Sequence, residues 1–129
     1  MLRKKIRVLV VDDSMMFRSV LTAALNAPDI EVIDTAVDAI DAKEKILRLK
    51  PDVITLDVEM PKLNGIQFLK QFLPIHKVAA IVVTASAVEA FEAVSAGAVD
   101  YIKKPDARGM DSFGTQLKKA VRVASTAKV

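Results

Sequence analysis

The sequence predicts an α/β fold: a doubly wound parallel sheet built from five βα units. Short β-branched runs alternate with longer segments whose apolar residues recur at helical spacing. Several of the short runs are apolar at every position, as strands covered by helices on both faces must be. The 129 residues are 52% apolar and lack Trp, which suits one domain around an aliphatic core.

Ile6–Val11 reads as a strand apolar on both faces. Phe17, Val20, Leu21, Ala24 and Leu25 then form a helical stripe, stopped by Asn26-Ala27-Pro28-Asp29. Ile30–Ala36 alternates more weakly and reads as an edge strand. Ala39, Ala42, Ile46 and Leu49 make the next stripe, ended by Lys50-Pro51. Val53–Leu56 is a buried strand, and Val58–Asn64, with Pro61 and Asn64-Gly65, is a loop. Ile66–Leu73 is a short helix stopped by Pro74, and Ala79–Thr84 is a strand. Ala87–Ala96 is helical, with Gly97 at its C-terminal cap. Val99–Lys103 is the fifth strand, Pro105–Met110 a loop, and Ser112–Ala124 the last helix. Right-handed crossovers with helices on both faces favour the flavodoxin-like order 2-1-3-4-5. Residues 1–124 form the domain; 125–129 read as a tail or the start of a linker.

With no Cys there is no disulfide framework and no thiolate zinc site. The apolar run after the basic N-terminus is too short for a signal-peptide core, and nothing approaches a membrane span. A soluble cytoplasmic protein is expected. The net charge of +3 is uneven: residues 8–107 hold ten basic against fifteen acidic groups, so the body is acidic and the ends are basic. The basic groups are not interleaved with aromatics, which argues against nucleic-acid binding.

Four apolar runs end in residues that can handle a phosphoryl group. They are Val8-Leu9-Val10-Val11-Asp12-Asp13-Ser14, Val53-Ile54-Thr55-Leu56-Asp57, Ala80-Ile81-Val82-Val83-Thr84 and Tyr101-Ile102-Lys103-Lys104-Pro105. In the order 2-1-3-4-5 the first and third strands are neighbours, and ligands sit at that switch point. Asp12, Asp13 and Asp57 fall there, and three adjacent carboxylates need a cation. An all-oxygen site implies a hard ion, Mg²⁺ or Mn²⁺. An Asp beside such an ion can attack phosphorus to form an acyl phosphate. Thr84 then offers a hydroxyl and Lys104 a cation for the remaining oxygens. A cis Lys104-Pro105 bond would aim the Lys inward. The plainer reading is that Asp12 and Asp13 merely cap the next helix, but a cap needs one Asp, not three.

Taken in order, Asp12-Asp13-Ser14, Asp57 with Met60-Pro61, Thr84-Ala85 and Lys104-Pro105 resemble the receiver domain of two-component response regulators. The resemblance implies that Asp57 accepts phosphate from a histidine kinase. It implies that Asp13, Asp57 and the backbone carbonyl of Glu59 bind Mg²⁺, with Asp12 assisting, and that Thr84 and Lys104 hold the phosphoryl group. Tyr101 matches the family's aromatic switch position. Phosphorylation would draw Thr84 toward Asp57, turn Tyr101 inward and alter the surface of helix 4, strand 5 and helix 5.

Asp-Val-Ile-Thr-Leu-Asp-Val-Glu-Met-Pro, Asn-Gly-Ile and Gly-Ala-Val-Asp-Tyr-Ile-Lys-Lys-Pro are similar to the regulatory domain of the chemotaxis methylesterases. In that branch the receiver covers a C-terminal hydrolase. The chain departs from the branch at Thr84-Ala85, where Ser-Ser is usual, and in a shorter segment before Gly97. It contains no Gly-x-Ser-x-Gly elbow, and its one His is His76. It is therefore expected to be either an excised N-terminal piece or a stand-alone receiver, not itself an enzyme beyond its own phosphorylation. Two other classes are weighed. A Mg²⁺-dependent aspartyl-phosphate phosphatase would carry its acid pair on the first strand, not at Asp57-Val58-Glu59 on the third. A flavin carrier would find its phosphate repelled by Asp12 and Asp13.

Overall fold

The structure is a computed structural model and describes residues 4–60, 62–106 and 109–127. Its strands are β1 (Ile6–Val11), β2 (Ile30–Ala36), β3 (Val53–Asp57), β4 (Ala79–Thr84) and β5 (Asp100–Lys103). Its helices are α1 (Met15–Ala24), α2 (Ala39–Leu49), α3 (Gly65–Phe72), α4 (Ala87–Ser95) and α5 (Met110–Ala124). All strand pairs are parallel, in the order β2-β1-β3-β4-β5. The predicted fold class and strand order are therefore observed. The Pro61 of Met60-Pro61, the segment 107–108 and the ends at 1–3 and 128–129 lie outside the described residues.

Side-chain alternation along the inner strands splits the core into two layers. Leu9, Val11, Ile54, Leu56, Ala80 and Val82 face α2, α3 and Ala93 of α4. Val8, Val10, Val53, Ala79, Ile81 and Val83 face α1 and α5. Every residue of β3 and β4 is buried. Fully burying one such aliphatic side chain stabilises the fold by roughly 1.5–3 kcal/mol. The edges are more polar, as predicted for β2. There the register slips between Val8 and Leu9, and a bulge at an edge twists the strand away from further pairing. At the other edge only Ile102 of β5 is buried.

Side chains fix where helices start. Ser14, Asp38, Asn64 and Ser86 each accept the N–H three residues on and thereby open α1, α2, α3 and α4. Asn64 and Gln67 form a full capping box, which starts α3 at Gly65 rather than Ile66. α5 begins two residues before the predicted Ser112, behind Gly109 and without a side-chain cap. Gly97, just beyond α4, adopts φ 115°, a left-handed conformation that favours glycine.

Gly65 determines how tightly the loop after β3 closes. Its N–H donates to the Val58 carbonyl at 2.8 Å. A Cβ here would collide with the Asp57 carbonyl oxygen and lie 3.0 Å from the Val58 Cα, both rigid backbone. Gly114 is the opposite case: in the body of α5, its Cβ would meet Ala24 at an ordinary 3.8–4.0 Å. Gly65→Ala is expected to destabilise the protein by about 2 kcal/mol or more in urea unfolding. Gly114→Ala is expected to stabilise it by up to about 1 kcal/mol, the helix-propensity gain. Equal effects of the two substitutions would contradict this account of the loop.

Candidate functional site

β1 and β3 are hydrogen-bonded neighbours with Val11 opposite Leu56, so the C-terminal ends of the two strands emerge side by side. Asp12, Asp13 and Asp57 accordingly place one carboxylate oxygen each within 4.8 Å of one another. Asp12 is 1% and Asp57 4% exposed, while Asp13 faces solvent. Asp12 Oδ1 accepts the Ser14 N–H at 2.9 Å, so Asp12 does help turn the chain into α1. Its Oδ2 is buried with no hydrogen-bond partner among the described residues. The Asp12 backbone is held from two sides, its N–H donating to Ala36 and its carbonyl accepting from Arg18 Nη1 at 2.8 Å.

Asp57 Oδ1 accepts the Glu59 N–H at 3.3 Å and pairs with Lys104 Nζ at 3.2 Å. Burial, then the nearby Asp12 charge, push the Asp57 carboxyl up to about 6, against the pull of Lys104. Burial also raises Asp12, with Asp13 adding to it and the Ser14 N–H and Lys104 opposing. One lysine therefore does not balance the anions. An orphaned buried carboxylate oxygen in an all-oxygen cluster fits a hard divalent cation such as Mg²⁺.

The Lys104-Pro105 bond is not cis; cis peptide bonds are absent among the described residues. Lys104 reaches Asp57 by another arrangement. Its N–H donates to the Thr84 carbonyl at 3.0 Å, tying it to the end of β4. Its ammonium lies 4.6 Å from the centre of the Phe17 ring, and that ring packs on Phe113 at 6.1 Å between centroids. The aromatic face attracts the cation and keeps the stem from swinging into solvent.

Thr84 sits at the same sheet edge and is buried, but its hydroxyl is engaged elsewhere. Oγ1 donates to Glu89 Oε1 at 2.9 Å and accepts the Ser86 N–H at 3.2 Å. Tyr101, opposite Val82, is 48% exposed. Glu59 is exposed on the loop after β3. The structure thus gathers Asp12, Asp13, Asp57 and Lys104, and leaves the Thr84 hydroxyl on Glu89 and Tyr101 outward.

Sequence reasoning did not assign Phe17, Arg18 or Glu89 to the site. Phe17 fits the core stripe of α1, and its contact with Lys104 is long-range. Glu89 does carry a local signal: Ser86-Ala87-Val88-Glu89 has capping-box spacing. The carboxylate takes the Thr84 hydroxyl, and the Ser86 N–H goes to Thr84 Oγ1, so the box closes through Thr84.

The raised Asp57 pKa has a stability consequence. The folded state binds this proton more tightly than the unfolded chain, whose carboxyl titrates near 3.8, so without metal stability falls as pH rises from there to about 6. Asp57→Asn removes the cost of the buried charge. In EDTA at pH 7 it is expected to be more stable than wild type, on the order of 2 kcal/mol. The gap should close below the unfolded pKa and shrink when Mg²⁺ is added. A destabilised Asp57→Asn in EDTA would show that the buried carboxylate does not carry this cost.

Residues 8–111 match the family model of the response regulator receiver domain. A protein-glutamate methylesterase/protein-glutamine glutaminase of Syntrophomonas wolfei is 42% identical over 98% of this chain and 38% of its own length. One from Vibrio vulnificus is 42% identical over the whole chain and 40% of its own length. The chain thus spans about two fifths of the relatives it matches. Among solved structures, the response regulator domain of Thermotoga maritima CheB superposes with a TM-score of 0.88 at 38% identity, covering 98% of this chain and all of that one. A chain of the CheX–CheY–BeF₃–Mg²⁺ complex from Borrelia burgdorferi gives 0.81 at 26% identity, covering 96% of this chain and 92% of that one.

Proposed function

The chain belongs to the response regulator receiver family, and from that premise we propose that Asp57 is its phosphoacceptor, charged by a histidine kinase in a Mg²⁺-dependent reaction. One observation carries this reading: a buried Asp57 carboxylate lies 3.2 Å from Lys104 yet remains short of positive charge beside Asp12. Asp13, Asp57 and the Glu59 backbone carbonyl would hold the ion, with Asp12 assisting. Bound there, Mg²⁺ neutralises charge on the phosphoryl oxygens.

An Asp57 carboxylate oxygen attacks phosphorus of a phosphohistidine. The new O–P bond forms as the N–P bond breaks, and the electron pair leaves on the imidazole nitrogen, which takes up a proton. Lys104 supplies a fixed cation to the transferred group, and the Thr84 hydroxyl donates to another oxygen. Tyr101 follows Thr84 inward, which alters the surface of α4, β5 and α5 and so biases a two-state element.

The proposal extends to the setting. Residues 1–124 act as the receiver, and 125–129 are a tail or the start of a linker. The output is a C-terminal methylesterase domain like that of the relatives, which would make the parent a protein-glutamate methylesterase/glutamine deamidase; a stand-alone switch is the alternative. The reaction is cytoplasmic, with no membrane or nucleic acid involved. Among the described residues no helix is long and apolar enough to cross a membrane.

Acetyl phosphate with Mg²⁺ should yield a phosphoprotein by intact mass, and EDTA should prevent it. Lys104→Ala should slow its formation by about 100-fold. The adduct should persist for seconds or longer; rapid multiple turnover on phosphate esters would favour the phosphatase alternative instead. Equal phosphorylation in EDTA would overturn the proposal.

A further inference from the structure

The Thr84 hydroxyl has one proton to donate, and in this structure it donates to Glu89 Oε1 at 2.9 Å. Its acceptor side is also in use, by the Ser86 N–H at 3.2 Å. Thr84 is 4% exposed, so water is not a free substitute partner. A phosphoryl oxygen on Asp57 that is to receive this proton must displace a carboxylate that already holds it. A hydrogen bond to an ionised group is worth more than one between neutral groups, so the competition is not trivial.

We propose that Glu89 is a positioning residue that holds the Thr84 hydroxyl away from Asp57, so that the phosphoryl group and Glu89 compete for one proton donor. This rests on the reading of Asp57 as phosphoacceptor and deepens it. Glu89 touches neither the acid cluster nor the transferred group; it acts through Thr84. It also stands in the first turn of α4, where Ser86 Oγ accepts its N–H at 3.3 Å. Loss of the Thr84 bond therefore releases a side chain from the helix that exposes Val88 and Phe91, 69% and 75% accessible. Phosphorylation would reach α4 by this bond as well as through Tyr101.

The test is a double-mutant cycle read by calorimetric titration of the full chain with BeF₃⁻ in excess Mg²⁺, the fluoride standing in for the phosphoryl group. Glu89→Ala is expected to tighten BeF₃⁻ binding roughly tenfold, the scale of one charge-assisted hydrogen bond. In a Thr84→Ala background the same change should alter affinity less than about twofold, because no hydroxyl is left to release. Glu89→Gln keeps an acceptor on the same stem without the charge, and should fall between wild type and Glu89→Ala. A tenfold gain that survives in Thr84→Ala would overturn the proposal, as would no gain in Glu89→Ala. Glu89→Gln matching Glu89→Ala would also overturn it, by assigning the effect to charge alone. Wild type that ignores BeF₃⁻ with Mg²⁺ would defeat the reading of Asp57 itself, a result separate from these.

Discussion

The structure is organised around the repulsion between two buried carboxylates. Asp12 and Asp57 leave adjacent parallel strands at the same end of the sheet and are almost fully withdrawn from water. Removing one charge from water is costly, and placing a second of the same sign beside it adds to that cost. The fold bears it because β1, β3 and β4 are packed on both faces by aliphatic side chains and cannot splay. Lys104 supplies one counter-charge, yet burial, and then the charge of Asp12, still hold Asp57 above the ordinary carboxylate range. That residual imbalance gives the site an appetite for a cation and for an electrophile such as phosphorus.

The groups around this pair keep it from relaxing. Ser14 and Arg18 grip Asp12 through its carboxylate and its carbonyl. Gly65 lets the loop after β3 close against the Asp57 backbone, where any side chain would push it away. Phe17 holds the Lys104 ammonium, and through Phe113 that contact extends to α5. The Thr84–Glu89 bond runs to α4. Asp57 is therefore linked outward through Lys104 to the aromatic pair of α1 and α5, and the Thr84–Glu89 bond stands at the end of the neighbouring strand.

Most of the architecture was legible in the sequence because the signals were periodic. Strands buried on both faces are mostly aliphatic, and the helical stripes at Leu21, Ile46 and Leu117 face the core as their spacing requires. The acid cluster was legible because strand order alone brings Asp12, Asp13 and Asp57 together. Contacts made by side chains across the fold were not. Phe17 under Lys104 depends on how α1 lies against the end of β5, which no local pattern encodes. Thr84 reads as a donor toward the site, yet the first turn of α4 places a stronger acceptor within reach. Lys104 is aimed by its tie to β4 and by Phe17, not by the cis bond its Pro invites.

That an oxygen of this crowded carboxylate takes the phosphoryl group is our proposal. It is tested most directly by locating the modification. After reaction with a phosphodonor and Mg²⁺, borohydride reduction converts an aspartyl phosphate to homoserine, and peptide mass spectrometry then reads its position. The account predicts homoserine at position 57 and at no other aspartate. Homoserine at position 12 or 13, or a phosphoryl group on a residue that borohydride leaves intact, would contradict it.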